Sequence, residues 1–595
     1  MDASTQPWWK DAVVYQIYPA SFKDSNNDGI GDIPGITQSL DYIQSLGCNV
    51  LWICPMYASP QVDMGYDISD YEAVYPPYGT MQDMNVLIEE VHRRGLRIIL
   101  DLVVNHTSDQ HAWFKDSRTS KDNPKRDWYI WQPAKYDSAG RRYPPNNWRS
   151  NFGGSVWEWD EQTQEYYLHL FCPEQPDLNW QSEDLRQSVY QSAMISWLER
   201  GIDGFRIDTV NMYSKPPGLP DAPVKDPKSP WQEAGLTYCN GPYMDRYLEE
   251  MNEILGRYDA MSVGECPFTP ARERVIDYVS AKRRRLNMVF QFDTVDVGMG
   301  RVFKYVTIPF NYTLADIKQA ICRTQGILDG TDAWTTTFIE NHDQARSVSR
   351  FGDDSSAWRC RSAKMLALVY ASLSGTLFVY QGQEIGMINM PAEWPIDEYK
   401  DVDTINYYNE VARQTDHDPT ALKSTKATLQ HLARDHSRTP MQWTSAANAG
   451  FTSPEVTPWM RVNTSASEGL NVDDEETDTS SVLNFWRQML QVRKDHSDLL
   501  VHGSFEVIDK PNPTVFSFAK RSSDLERCAL VVCNFSGSRA VMPKLEGILA
   551  AQDSPVLTNL TEAQPIDAPC DFEFEGVLEP WEGRLYIIQR ERQSG

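Results

Sequence analysis

Eight short β-rich runs, each followed by a helix-like segment, constrain this chain more than any other feature. They are residues 13–19 (VVYQIYP), 50–55 (VLWICP), 97–104 (RIILDLVV), 204–210 (GFRIDTV), 261–266 (MSVGEC), 288–293 (MVFQFD), 335–342 (TTTFIENH) and 376–382 (TLFVYQG). Runs that are apolar throughout, rather than alternating, belong to strands buried on both faces, as in a parallel sheet covered by helices. The intervening stretch MNVLIEEVHRRG has helical periodicity and ends at Gly95, as a helix C-terminus does. Eight βα units are the number a (β/α)₈ TIM barrel needs. Spacing alone leaves a doubly wound open sheet as the alternative.

The third and fourth strands stand about 100 residues apart. The Trp/Tyr/Pro/Asn-rich stretch between them, centred on PNNWRSNFGGSVWEWD, is too long for a loop and reads as an inserted subdomain over 107–180. A second insertion, about 385–457, follows strand eight. From 505 the pattern alternates (TVFSFAKR, CALVVCNF, RLYIIQR) with no helices between, which predicts a C-terminal antiparallel β-sandwich over 505–595. The barrel itself is then 1–106 and 181–504. The formal charge of −27 repels phosphate backbones, so neither nucleic acid nor an anionic membrane is an expected partner. No apolar run is long enough to span a bilayer, and the N-terminus lacks a basic region followed by an apolar core. With ten scattered cysteines and no CxxC, the expectation is a cytoplasmic protein with reduced thiols.

Barrel enzymes carry their chemistry at the C-terminal ends of the strands. Strand three leads to Asn105 and His106, strand four carries Arg206 and Asp208 on one face, strand five ends in Glu265, and strand seven runs into Glu340-Asn341-His342-Asp343. Any one of these could be a rim ion pair, but carboxylates, an arginine and histidines on four strands converge on one mouth. Two carboxylates flanking a glycosidic bond suffice to cleave it: one attacks the anomeric carbon, the other protonates the leaving oxygen and then activates water. On this reading Asp208 is the nucleophile, with Arg206 expected to lower its pKa. Glu265, among apolar neighbours, is expected to have its pKa raised. Phosphate and Schiff-base chemistries are poorly served, since there is no Gly-rich phosphate loop and no lysine at these strand ends.

The motifs GYDISDY, DLVVNH, GFRID, VGE, ENHDQ, VYQGQEIG and RDHSRTPMQW stand in that order. In this combination the chain resembles glycoside hydrolase family 13, the α-amylase superfamily, and within it the fungal maltase/isomaltase-type α-glucosidases, over nearly its whole length. The resemblance implies Asp208 as nucleophile, Glu265 as acid/base and Asp343 as the third carboxylate. It further implies His106, Arg206 and His342 around one glucose, Asp67 and Arg434 gripping its far hydroxyls, and Phe152 and Phe171 at the entrance. Two positions depart from the yeast pattern: Asn151 where Tyr is common, and Cys266-Pro267 where Met-Gln is usual. Thr209, directly after the nucleophile, is by resemblance the residue of α-1,4-preferring members, where α-1,6-preferring ones carry Val.

The run 24–32 places Asp24, Asn26, Asp28 and Asp32 at alternate positions, with the Ile30 carbonyl in register, an oxygen-ligand spacing suited to Ca²⁺. By itself the pattern also fits an Asn/Asp/Gly turn that needs no metal. The resemblance implies a structural, non-catalytic Ca²⁺. The expected function is a retaining exo-α-glucosidase acting on maltose and short maltooligosaccharides, with sucrose and isomaltose as further candidate substrates. The alternatives are a transglucosylase using the same residues, an oligo-1,6-glucosidase, and a non-catalytic transporter-subunit barrel. The last would need a membrane span and would be free to lose its carboxylates, whereas this chain has no such span and keeps all three.

Overall fold

The eight candidates pair side by side into a single parallel sheet that closes on itself. The strands are β1 (Val13–Ile17), β2 (Val50–Ile53), β3 (Arg97–Leu102), β4 (Gly204–Ile207), β5 (Met261–Glu265), β6 (Met288–Phe290), β7 (Thr336–Thr337) and β8 (Thr376–Tyr380). Their ladder order is β6-β5-β4-β3-β2-β1-β8-β7. The seam between β6 and β7 is joined by side chains: Thr336 Oγ1 donates to the Val289 carbonyl at 3.0 Å, and Gln291 Nε2 to Thr335 Oγ1 at 3.0 Å. This is the (β/α)₈ barrel, not the open sheet. The computed structural model describes residues 6–300, 303–305, 312–543, 558–559 and 576–589.

The barrel interior is filled, not hollow. Phe290 packs its ring 5.6 Å from Trp52, 4.6 Å from Phe378 and 4.9 Å from Phe338, so aromatic rings from β2, β6 and β8 and from the residue just past β7 fill the interior. Gly204 opens β4 at φ +149°, where a Cβ would lie 2.1 Å from the Met261 carbonyl; only glycine lets β4 and β5 approach. The helix preceding β3 runs Met81–Arg93 behind a Thr80/Asp83 capping box, three residues earlier than its apolar pattern begins. Strand β7 is shorter than its sequence run. Thr336 and Thr337 spend their hydroxyls on the Val289 and Ser374 carbonyls, and past Phe338 the chain turns to present Asn341–Asp343.

The segment 107–180 carries a short helix, Ala112–Ser117, and three antiparallel strands, Trp131–Gln132, Glu165–Leu168 and Trp157–Asp160, in that spatial order. An antiparallel bridge between His106 and Asp177 ties its two ends together beside the barrel mouth. After β8 come helices Val402–Gln414, Pro419–Leu432 and Asp435–Arg438. The C-terminal sheet is antiparallel, with Ser504–Ile508, Val515–Arg521, Arg527–Asn534, Gly583–Gln589 and Thr558–Asn559 in order. A two-stranded ribbon, Ala540–Val541 with Val577–Leu578, lays Ala540 and Leu578 on the buried face of that sheet, against Leu530 and Val532. The rest of the expected sandwich lies outside the described residues. Among the described residues no helix is long and apolar enough to cross a membrane, and no disulfide joins the cysteines.

Candidate functional site

Arg206 sits at the centre of the barrel mouth, 1% exposed. Its Nη1 lies 2.6 Å from Asp208 Oδ1 and 2.7 Å from Asp101 Oδ1, and its Nη2 lies 2.8 Å from Glu265 Oε2. One planar guanidinium therefore holds carboxylates from β3, the end of β4 and β5 in a fixed arrangement. Thr209 adds a second link: its backbone N–H donates to Glu265 Oε2 at 3.1 Å, and its hydroxyl to Asp208 Oδ2 at 3.2 Å. Thr209 has φ +38°, the left-handed region in which a β-branched residue is strained.

The opposite wall is built on His342. Tyr66 stacks on it at 5.2 Å, and its hydroxyl lies 2.6 Å from His342 Nε2; Gln16 Nε2 lies 2.8 Å from Nδ1. Asp343 Oδ2 is 3.1 Å from the same Nε2, and Asp343 Oδ1 accepts from Arg434 and Arg438, each at 2.9 Å. Asp401 anchors both arginines, 2.8 Å from Arg434 Nη2 and 2.6 Å from Arg438 Nη1. His106 lies 3.1 Å from Gln175 Nε2 and packs against Phe171 at 5.1 Å. Phe152 lies 5.7 Å from Phe171 and carries the Arg434 guanidinium over its face at 5.0 Å. The structure thus gathers Asp208, Glu265, Asp343, His106, Arg206, Thr209, His342, Arg434, Phe152 and Phe171 around one mouth.

Asp67 does not belong with them. Its carboxylate accepts from Ser59 Oγ, Val62 N and Asp63 N at 3.0, 3.0 and 3.1 Å, so it is spent on tying the turn after β2. The residue that meets Arg434 is Asp63, with Oδ1 3.2 Å from Nη2 and Oδ2 accepting from Gln175 at 3.0 Å. Both aspartates belong to one tight turn, and the motif GYDISDY singled out the wrong one.

Burial dominates the electrostatics. Glu265 is pushed up to about 7, burial outweighing Arg206, as its apolar setting implied. Asp208 corrects the sequence expectation: Arg206 does pull it down, but burial and the neighbouring Asp101 prevail and it is raised to about 6. Asp343 behaves oppositely; burial pushes it up, yet His342, Arg434 and Arg438 hold it well below the usual carboxylate range. Burial lowers His106 and His342, which are therefore neutral at pH 7.

Asp63, Tyr66, Asp101, Gln175, Asp401 and Arg438 escaped the sequence reading. Asp101 had a signal: a lone carboxylate inside the buried run RIILDLVV needs a buried partner. At the two departures, Asn151 Nδ2 donates to the Leu170 carbonyl at 2.9 Å and reaches Tyr238 OH at 3.4 Å, and Cys266 is buried against Thr269.

The loop 24–32 is tied by its own side chains. Asp24 accepts from the N–H groups of Asn26, Asn27 and Gly29, and Asp32 from Ser25 and Gly35. Asn26 Oδ1 caps Asp28 N, and Asp28 Oδ1 caps Ile30 N. The donors are all hard oxygens, which fits Ca²⁺ chemistry. Among the described residues no three His, Cys, Asp or Glu side chains gather as a metal site, so a cation here would also need Asn26 and the Ile30 carbonyl.

The family described as alpha amylase, catalytic domain, matches residues 16–503. An alpha-glucosidase of Candida albicans is 48% identical over 588 residues, covering 98% of this chain and 100% of the relative. An oligo-1,6-glucosidase of Saccharomyces cerevisiae is 47% identical over 597 residues, covering 98% of each. Among solved structures, a trehalulose synthase variant bound to Tris superposes with TM-score 0.89 at 40% identity, covering 98% of this chain and 100% of its own. An isomaltulose synthase variant from Erwinia rhapontici, with its natural substrate sucrose, gives 0.89 at 36% identity over the same shares.

Proposed function

The chain belongs to the α-amylase family, glycoside hydrolase family 13, and from that premise we propose that this glycoside hydrolase is a retaining, exo-acting α-glucosidase. The observation that carries the reading is the single Arg206 guanidinium bonded to both Asp208 and Glu265, with Glu265 titrating near neutrality. Shared contact with one guanidinium favours the closer carboxylate spacing of retaining enzymes over the wider one that admits water between the pair. Asp208, ionised, attacks the anomeric carbon while Glu265 gives its proton to the leaving oxygen. The resulting glucosyl ester is released when Glu265, now a carboxylate, takes a proton from the attacking water. Arg206 keeps Asp208 aimed. Asp343, His106 and His342 hold the glucose hydroxyls, and Arg434 with Asp63 closes the pocket behind one sugar, which limits attack to chain ends.

The substrates are maltose and short maltooligosaccharides, with α-1,4 preferred over α-1,6 linkages on the strength of Thr209. Transfer to a sugar acceptor is the second reading; the likeness to trehalulose and isomaltulose synthases favours it, and the same residues serve both reactions. A structural Ca²⁺ on Asp24, Asn26, Asp28, Ile30 and Asp32 and a cytoplasmic setting complete the proposal. The test is to supply maltose, isomaltose and sucrose separately, following the released anomer by NMR and all products by chromatography. With nitrophenyl α-glucoside, whose leaving group adds no glucose, initial release of α-glucose supports the reading; initial release of β-glucose overturns it.

A further inference from the structure

A cavity of about 570 Å³ lies apart from the carboxylate cluster, and none of the residues of that cluster lines it. Its wall carries Glu398, Lys400, Asn448, Trp459, Arg461 and Ser467. We propose that it is a second saccharide site, taking a short neutral sugar such as glucose or maltose.

The chemistry of the lining selects that class. Trp459 supplies an aromatic face and is fixed in place: its indole N–H donates to Ser21 Oγ at 3.2 Å, its backbone N–H to the Gly29 carbonyl at 2.9 Å, and its ring packs 6.3 Å from Tyr18. Around it stand donors and acceptors in mixture. Arg461 and Glu398 pair at 3.2 Å, with half of the arginine side chain and a quarter of the glutamate still exposed. Lys400 Nζ donates to the Asp397 carbonyl, Ser467 Oγ to the Thr464 carbonyl, and the Asn448 amide N–H to the carbonyls of Ser453 and Val456. An anion would find the Arg461 guanidinium already occupied by the Glu398 carboxylate and, among the lining residues, only Lys400 to meet it. An apolar ligand would strand these polar groups. A polyhydroxyl ring stacked on an indole satisfies both, and the volume lies within the usual range for small-ligand sites.

The wall is also strained. Asn448 and Ala449 are consecutive non-glycine residues in the left-handed region, at φ +52° and +51°. Ala449 is buried, and its carbonyl accepts from the N–H groups of both Trp443 and Thr444, which holds the turn in this form. Strain of this kind collects at ligand sites more often than at inert surface.

The inference rests on the glucosidase reading only for the choice of sugar. The test is calorimetric titration of glucose into the full chain and into three variants. Asp343→Ala removes a hydroxyl-holding group at the barrel mouth, Arg461→Ala opens the cavity wall, and Ser467→Tyr fills the cavity without removing a polar partner from the core. The expected result is two glucose sites in the wild type, retention of one in Asp343→Ala, and loss of the other in both Arg461→Ala and Ser467→Tyr, with turnover of maltose by those two variants unchanged. A single site in the wild type, abolished by Asp343→Ala and untouched by the cavity variants, overturns the proposal. Failure of the glucosidase reading would appear differently, as a site that survives in Asp343→Ala but disappears in both cavity variants, with no second site in the wild type.

Discussion

Replacing Asp63 and Asp67 separately by Asn distinguishes a pocket residue from a turn residue four positions away. Asp63 faces Arg434 at 3.2 Å and Gln175 at 3.0 Å, and burial pushes its pKa up to about 7. Hydrogen bonds to a charged group are worth about 1.5–3 kcal/mol. At about 1.4 kcal/mol per tenfold, Asp63→Asn is expected to lower kcat/KM on maltose roughly 10- to 100-fold. Its effect on stability has the opposite sign. A carboxylate with a folded pKa near 7 and an unfolded value near 3.9 destabilises the folded state progressively as pH rises between those values. Asp63→Asn removes that penalty, so at pH 7 the Tm should hold or rise. Asp67→Asn instead weakens the acceptor for Ser59 Oγ and two backbone N–H groups, which costs about 1–3 kcal/mol of stability. It should lower the Tm while leaving kcat/KM of the folded enzyme within about threefold. The assay is Tm by calorimetry alongside steady-state kinetics on maltose and nitrophenyl α-glucoside. If Asp67→Asn loses as much kcat/KM as Asp63→Asn at unchanged Tm, the assignment of Asp63 to the pocket is wrong.

The pH profile of kcat/KM should be a narrow bell. Asp208 must be ionised, which requires pH above about 6, and Glu265 must be protonated, which requires pH below about 7; a plateau extending past pH 9 contradicts the acid role. Chelation should lower the Tm before it lowers kcat, because an ion a hundredfold above its Kd adds about 2.7 kcal/mol to the folded state. An unchanged Tm with no calcium by elemental analysis removes the metal from the account. Thr209→Val deletes the hydroxyl that here bonds Asp208; turned to an acceptor sugar, the same hydroxyl would supply a bond worth about 1 kcal/mol. It should shift the maltose-to-isomaltose ratio of kcat/KM about five- to tenfold toward isomaltose; an unmoved ratio refutes the linkage argument.

The barrel was legible because its strand runs are mostly apolar, buried on both faces and eight in number, each followed by a helical segment; an open sheet shares that pattern, and only the ladder order excludes it. The carboxylate cluster was legible because Arg206, Asp208 and Glu265 sit in or just past such strands, where charge is costly unless paired or used. Asp63, Gln175, Asp401 and Arg438 were not, since they come from loops and from a short helix whose place in space no periodicity records. Asp101 was overlooked inside its strand, although its charge there was the clue. The pKa of Asp208 was misjudged for a related reason: adjacency to Arg206 is visible in the chain, whereas its burial and the nearness of Asp101, itself held by Trp52, Tyr66 and Arg206, appear only once the barrel closes. Asp67 was mistaken for Asp63 because the two stand four positions apart in one turn, just inside and just outside the motif GYDISDY, and only the direction of each carboxylate separates them.

The central claim is a covalent glucosyl-enzyme on Asp208. Glu265→Gln removes both the proton donor and the base that activates water, while a nitrophenol leaving group needs little protonation, so the ester should form and persist. The decisive measurement is to mix the Glu265→Gln enzyme with nitrophenyl α-glucoside, quench in acid and record intact and peptide masses. The account predicts a burst of one nitrophenol per active site and a mass increase of one glucosyl residue confined to the peptide bearing Asp208, absent when Asp208→Ala is added. Steady turnover with no burst and no adduct, or an adduct on another carboxylate, would contradict it.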